Sequence, residues 1–341
     1  MGAMSLKPFF RLLRAGQLAA LLGVARELKS FYKLTYLAAL AETGLLNRLA
    51  NAPATLDSLA ESCAAHSQGK EALEAWLQMG VRLRLLGMGS RGYALCGLAK
   101  TLARPENDAA VAMVQEVAGL HRKLIADTIP RVRHDELFTL ADQDGELIAR
   151  SSRILEAFQA EAIEQTFPAH GAPRLLEIGC GSGVYLRYAA IRNPSLTALG
   201  VELQPAVAEV ARRNLRSWEL EGRVRVEDGD IRSKSRGELF DIATLYNNIY
   251  YFPIAERVAL LRHIASFLKP GGFLLLTTCC QGGSLGTEAL NLWGAATSGA
   301  GRLPAADELV SQLRQAGYNR VKTRNMLPGD RFLAFQAFRA K

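Results

Sequence analysis

Between Arg174 and Pro205 the chain reads RLLEIGCGSGVYLRYAAIRNPSLTALGVELQP, and this stretch constrains the fold more than any other. Leu175, Leu176 and Ile178 make a short apolar run that stops at Gly179-Cys180-Gly181-Ser182-Gly183. An apolar run closed by glycines predicts a buried strand, a tight turn and a helix from about Val184. Alternate glycines let the backbone reverse and let a ligand approach with no Cβ in its way. The helix would aim its first N–H groups and the positive end of its dipole at that ligand. A second apolar run, Leu196 to Val201, ends in an acid, Glu202. Strand, glycine turn, helix, strand and acid together predict a nucleotide- or nucleoside-binding unit.

The residues narrow the ligand. A dinucleotide fingerprint needs G-x-G-x-x-G, and here the third glycine arrives one residue early. Glu177 stands two residues before the first glycine, where a carboxylate repels phosphate and accepts hydrogen bonds from an ammonium. Glu202 is placed to take both ribose hydroxyls. An ammonium and a ribose without a phosphate describe S-adenosylmethionine. The run E-I-G-C-G-S-G resembles motif I of class I S-adenosylmethionine-dependent methyltransferases, with Glu202 at their ribose-binding acid. The resemblance implies a cofactor set of Glu177, Gly179, Gly181, Gly183, Glu202, Leu203, Asp230, Ile231, Tyr246 and Asn247. Asp230 lies where this superfamily hydrogen-bonds the adenine amino group.

Ahead of that stretch, Leu6 to about Asn51 has helical periodicity, broken at Ala52-Pro53-Ala54. Thr55 is an N-cap for a second helix, and Gly69 to Leu86 gives a third. Residues 86–95 read as two short strands joined by a glycine turn. Three helices and a hairpin make a winged helix, so DNA binding has to be weighed. Its third helix offers only Lys70, Gln78, Arg82 and Arg84 on a mostly apolar surface, which favours burial against another subunit over base readout. This region resembles the N-terminal dimerisation domain of small-molecule O-methyltransferases. Glu106 to about Phe167 is again helical, interrupted at Pro130.

After the glycine turn the chain predicts strands over 223–226, 240–245, 273–278, 321–326 and 332–338, with helices between them. The block L-K-P-G-G-F-L-L-L adds to the methyltransferase resemblance. The expected fold is an α/β Rossmann-like methyltransferase domain with a seven-stranded, mainly parallel sheet and one reversed strand at an edge. A helical winged-helix dimerisation domain precedes it. The expected divisions are 4–105 for dimerisation, 106–170 for bridging helices and 171–341 for the cofactor domain. Met1-Gly2-Ala3 ahead of Met4 reads as a cloning remnant.

Composition excludes several classes. The chain of 341 residues is 49% hydrophobic and 22% charged, and no apolar run reaches the ~18 residues of a membrane span. Five unevenly spaced cysteines suggest neither a disulfide framework nor a zinc site, and fit a reducing cytoplasm. The net charge of +8 is spread over several helices with no aromatic-basic interleaving, so no nucleic-acid partner is expected. Nor is a metal, because no Asp–Asp–Asn cluster occupies the strand ends.

Ligands in such sheets bind beyond the carboxyl ends of the strands. Tyr246-Asn247-Asn248-Ile249-Tyr250-Tyr251-Phe252-Pro253 comes directly after the fourth strand. The resembling O-methyltransferases carry a histidine base in this segment, and here Tyr250 stands in its place. His263, further on, is expected inside a helix and facing away. Tyr250, Asn247 and Tyr246 are the catalytic candidates. Tyr250, Tyr251, Phe252, Cys279 and His121 are the candidates for the acceptor pocket, which the segment 281–301 would also wall. A missing base leaves several acceptors open. An alcohol or phenol must usually lose a proton to attack, whereas a thioether, thiolate, activated carbon or neutral amine needs less help. The expected function is methyl transfer to a small molecule by a cytoplasmic homodimer, with O, S, N or C as acceptor. A winged-helix regulator that senses S-adenosylmethionine, and an inactive pseudo-methyltransferase, are the alternatives.

Overall fold

The computed structural model describes residues 7–64 and 66–340, so the expected start at residue 4 and the leading Met1-Gly2-Ala3 lie outside the described residues. Packing divides the chain into two units. One runs to Lys123 and takes back Asp144–Ile154; the other holds Leu124–Gln143 and Leu155–Lys341. The block 106–170 is therefore shared between the units and is not one element.

The first unit opens with helices Lys7–Arg14, Gln17–Glu42 and Leu45–Asn51. The long periodicity breaks at Gly16 and Gly44, both left-handed, as well as before Pro53. Helices Leu56–Ser62 and Ser67–Arg82 come next, and Thr55 caps the first by accepting from the Ser58 N–H at 3.3 Å. Strands β1 (Leu86–Gly89) and β2 (Gly92–Leu95) then pair antiparallel. Their core gathers Tyr36, Leu40, Leu59, Leu77, Leu85 and Tyr93. The Tyr36 ring stacks on Trp76 with centroids 4.2 Å apart. Two of the polar side chains on helix Ser67–Arg82 are engaged within the unit. Gln78 Nε2 donates to the Tyr93 hydroxyl at 3.2 Å, and Lys70 pairs with Asp57.

Helix Arg122–Arg133, which begins in the first unit and continues into the second, includes Pro130 without a break, contrary to the expected interruption. A proline ring removes one N–H and crowds the preceding turn. Here it lies three residues from the helix end, and the next residues anchor that end. Arg131 donates to the Leu137 carbonyl at 2.9 Å and sits 4.1 Å over the Phe138 ring.

The sheet comprises β3 (Arg174–Ile178), β4 (Thr197–Glu202), β5 (Val224–Asp228), β6 (Phe240–Tyr246), β7 (Leu268–Cys279), β8 (Tyr318–Asn325) and β9 (Phe332–Arg339). Their order is β5-β4-β3-β6-β7-β9-β8, seven strands as expected. The strands from β5 to β7 are mutually parallel, and β9 runs antiparallel to both its neighbours. The reversed strand therefore lies one place inside the edge, which corrects the expectation. The reason is composition. FLAFQAFR buries most of its residues, whereas YNRVKTRN exposes most of its own, so the apolar strand takes the inner position and the charged one guards the edge.

Successive residues of each strand feed opposite faces. Leu175, Ala198, Ile242 and Leu275 join one core with helices Val184–Arg192 and Pro205–Ser217. Leu176, Leu199, Ala243 and Leu276 join the other with helices Ile254–Phe267 and Ala306–Gln315. Strand order reverses at β3, between β4 and β6, and the crevice of such a sheet opens beyond the strand ends at that point.

Candidate active site

The turn after β3 is held from two directions. The Gly179 N–H donates to the Val201 carbonyl at 2.8 Å, which ties the turn to the end of β4. From the β6 side, Asn248 Nδ2 donates to the Ile178 carbonyl at 3.0 Å. Gly179 has φ 67°, and a Cβ there would stand 2.5 Å from that Asn248 nitrogen, so no other residue fits. The helix Val184–Arg192 then starts at Gly183, with φ 81°.

The two acids expected to frame the turn behave differently. Glu202 is clamped: Oε2 accepts from the Gly181 N–H at 2.9 Å and Oε1 from the Gln204 N–H at 3.2 Å. Glu177 is 1% exposed, and neither carboxylate oxygen accepts a hydrogen bond from any described group. Burial, reinforced by the charge of Glu202, pushes its carboxyl well above the usual carboxylate range. The neighbouring Cys180 thiol is raised by the same burial.

Leu203, next along, leaves its side chain 58% exposed. Asp230 caps a short turn by accepting from the Arg232 N–H at 2.9 Å, and the Arg232 guanidinium bonds the same carboxylate. That pairing holds Asp230 below the usual carboxylate range. Ile231 is buried, and its carbonyl accepts from His263 Nε2 at 2.9 Å. The histidine lies inside helix Ile254–Phe267, as expected, and its ring is held by this contact to Ile231.

Beyond β6 the polar and aromatic candidates converge. Asn247 takes the left-handed φ of 51°, unusual for a side-chain-bearing residue. Its N–H donates to the Thr277 carbonyl at 2.6 Å and its Oδ1 accepts from the Cys279 N–H at 3.5 Å, binding the ends of β6 and β7 together. Tyr246 is buried, its ring edge-on to Tyr185 at 5.2 Å. Burial pushes that phenol well up, so it stays neutral and is unsuited to act as a base. Tyr250 is 5% exposed, lies 4.8 Å from the Tyr251 ring, and accepts at its carbonyl from the Gly301 N–H at 2.9 Å. Phe252 carries the Arg232 guanidinium 5.6 Å over its ring. Cys279 and Cys280 end β7 as buried thiols, both pushed up to about 12 by burial. The expected pocket wall 281–301 contains helix Leu285–Ala296. His121 belongs to the first unit, in the π-helical turn Val117–His121, with Nε2 3.2 Å from Glu116.

One residue that sequence reasoning passed over holds much of this region. Arg257 is completely buried with no carboxylate bonded to it. Its Nε donates to the Phe252 carbonyl at 3.1 Å and its Nη2 to the Arg302 carbonyl at 2.6 Å. Burial lowers its pKa to about 10. The signal was present: Arg257, Leu261 and Ile264 share one helix face, and the two aliphatic positions are core residues.

Among the described residues no three His, Cys, Asp or Glu side chains converge to hold a metal ion. No helix among them is long and apolar enough to cross a membrane. A cavity of about 310 Å³ lies at the other end of the sheet, lined by Arg174, Arg223, Arg225 and Glu238. Glu238 pairs there with both Arg174 and Arg225, and Arg223 donates to the Leu196 and Ala190 carbonyls.

A doubly wound sheet with an acid-flanked glycine turn at its switch point is the type of fold found in class I methyltransferases. Comparison with known proteins agrees. Residues 176–274 match the family profile described as "Methyltransferase domain". Demethylspheroidene O-methyltransferase of Rhodobacter capsulatus is 26% identical over 196 residues, 55% of this chain and 48% of that protein. A ubiquinone biosynthesis O-methyltransferase of Xanthomonas campestris is 30% identical over 105 residues, 31% of this chain and 42% of the relative. The chain thus spans about half the length of the curated relatives it matches. Among solved structures, the mitomycin 7-O-methyltransferase MmcR superposes with a TM-score of 0.80 at 20% identity, over 96% of this chain and all (100%) of that one. Human N-acetylserotonin methyltransferase, solved with S-adenosylmethionine, gives 0.70 at 19% identity, covering 100% of both chains. Residues 176–274 therefore resemble a methyltransferase domain, and the fold of the chain is the one seen in the small-molecule O-methyltransferase MmcR.

Proposed function

We propose that this protein transfers the methyl group of S-adenosylmethionine to a hydroxyl of a small apolar molecule, and that the hydroxyl is a phenol or enol acidic enough to ionise without a strong base. The observation that carries the reading is the pair of acids at the turn, Glu177 sealed beneath it without a partner and Glu202 clamped beside it. An unpaired buried carboxylate next to a glycine turn fits a ligand that brings its own cation. Glu202, with two backbone donors fixing its plane, fits a ribose, and the exposed Leu203 side chain fits an adenine face. Asp230 and Ile231 complete the set beyond β5.

When bound, S-adenosylmethionine supplies an electrophilic methyl group on a positively charged sulfur. The remaining work is positional. Gly179, Gly181 and Gly183 leave room for the ligand at the turn, and Tyr246, Tyr250, Tyr251 and Phe252 supply π faces that favour a cation by ~0.5–2 kcal/mol each. Holding an acceptor oxygen about 3 Å from the transferred carbon supplies most of the acceleration in such a reaction. Tyr246 stays neutral and His263 is committed to Ile231, so neither draws the acceptor proton; Tyr250 is left to assist a hydroxyl that is acidic in itself. The oxygen acceptor is supported by the relatives that act as O-methyltransferases.

The first unit serves self-association in this reading. Phe10, Leu13, Leu21, Leu22, Val24 and Phe31 remain more than half exposed along its first two helices, and a second copy of the chain is the partner that covers them. Neither nucleic acid nor metal enters the reaction. All five cysteines are free thiols, in keeping with a cytoplasmic enzyme. The test is incubation with methyl-labelled S-adenosylmethionine and panels of phenols, thiols and amines. Label in a phenolic ether supports the proposal. Label only in a thioether or amine, or no uptake of the donor, overturns it.

A further inference from the structure

Glu177 is the one acid of the site that the protein leaves without a partner, and its surroundings say in which form it waits. It lies mid-sheet, with Gly200 of β4 and Thr244 of β6 as lateral neighbours. The ionisable groups facing it are Glu202 from β4, Cys180 from the turn and Tyr246 from β6. None of them carries a positive charge. Arg212, whose charge reaches Cys180, is occupied by Asp228 at 2.6 Å and Glu209 at 3.4 Å. Thr244, Tyr246 and Thr277 hold buried hydroxyls on the same part of the sheet, and none of them donates to Glu177. A carboxylate sealed from water, unbonded and facing a second carboxylate is strongly disfavoured, while a carboxylic acid in that place is not.

We propose that Glu177 is a neutral acid in the free protein, and that seating a ligand with an ammonium group at the glycine turn drives its proton into solvent. The inference rests on the S-adenosylmethionine reading above and adds the protonation state. The step balances simply. One O–H bond of the carboxyl breaks and its proton goes to buffer. The ligand keeps all of its ammonium protons, and the new carboxylate faces that cation. Direct contact is not required, because an opposite charge within ~4–6 Å already favours the ionised form. Burial and the charge of Glu202, which raise the carboxyl in the free protein, define the starting point. Below the free-state pKa and above the ligand-bound one, binding releases a proton, so affinity rises as pH rises, by about tenfold per unit. Ligand recognition is thereby made selective for charge, since a nucleoside without the amino acid has no means of ionising Glu177.

The experiment is titration calorimetry of the full-length protein with S-adenosylhomocysteine at pH 7, in phosphate, HEPES and Tris, whose ionisation heats differ. Release of about one proton per site is expected, with none when adenosine replaces the ligand and none for Glu177→Gln. Infrared difference spectra should lose a protonated carboxyl band on S-adenosylhomocysteine binding in the wild type only. That spectral test also stands if Glu177→Gln fails to bind, because adenosine on the wild type then serves as the control. Binding heat independent of buffer overturns the proton release and leaves the cofactor reading intact. Equal release with adenosine also overturns it. Absence of any binding heat overturns both.

Discussion

The backbone N–H of Gly181 donates to Glu202 Oε2 at 2.9 Å, so the glycine turn itself aims the acid at the end of the next strand. The turn and the acid are one device: the backbone that would cradle the ligand also orients the group that would bond its ribose. Glu202→Ala removes the acceptor of both the Gly181 and Gln204 N–H groups. Charge-assisted hydrogen bonds of this kind are worth about 1.5–3 kcal/mol, so affinity for S-adenosylhomocysteine should fall roughly tenfold to hundredfold by calorimetry. Glu202→Gln should fall between the two.

Gly179 is predicted to tolerate no side chain. Gly179→Ala meets Asn248 Nδ2 and also forces an alanine into a left-handed conformation, which alone costs about 1–2 kcal/mol. The variant should lose that stability or more in urea denaturation. Asn248→Ala relieves the clash but not the conformation, so the double variant should be more stable than the sum of the single losses implies.

Arg257 should be intolerant of its closest relative. Arg257→Lys keeps the charge but cannot reach both the Phe252 and Arg302 carbonyls, and it buries an unshielded ammonium. A loss of about 1.5–3 kcal/mol is expected for each such hydrogen bond from a buried charged group. Thermal denaturation measures it, and Arg257→Met, which removes the charge at similar volume, should be the less damaging change.

Thiol reactivity tracks burial. Cys279 and Cys280 are raised to about 12, so at pH 8 roughly one in ten thousand is thiolate. Cys180 is raised as well. Titration of the native protein with a chromogenic disulfide should show one fast thiol, the exposed Cys63, and a slower one, the half-buried Cys96. The remaining three appear only on denaturation, and their reactivity in the native state should rise with pH only toward strongly alkaline conditions.

Tyr250→Phe is predicted to lower turnover by about tenfold while leaving S-adenosylhomocysteine affinity within about twofold. Single-turnover transfer and calorimetry on the same preparations separate the two. Equal turnover of both forms removes the hydroxyl from the reaction.

Much of the sheet was readable because its strands announce themselves locally. Leu175, Leu176 and Ile178, and Leu274 to Leu276, put apolar side chains on both faces, and glycines flank both runs. The acids at the turn were readable for the same reason, since Glu177 and Glu202 interrupt apolar runs at fixed distances from glycines. What escaped was pairing over distance. Whether β9 or β8 takes the edge depends on partners far earlier in the chain, although the charge of β8 was a hint. Arg257 escaped because its acceptors are backbone carbonyls, which every residue has and no sequence advertises. Pro130 misled because a proline is weighed by its ring alone, without the residues on its C-terminal side. Arg131, docked over Phe138, holds the helix end that the proline weakens.

The inner position of β9 has a bearing on assembly. β7 carries Thr277 and Cys279, to which Asn247 is tied, and its far side is closed only by β9, the final strand of the sheet to leave the ribosome. A nascent chain can therefore complete the nucleoside half of the crevice, from β3 to β5, while the acceptor half still has an open seam. Any late stall in translation would leave that seam as an unsatisfied edge, sticky to other strands, beside a cofactor cleft that is otherwise formed.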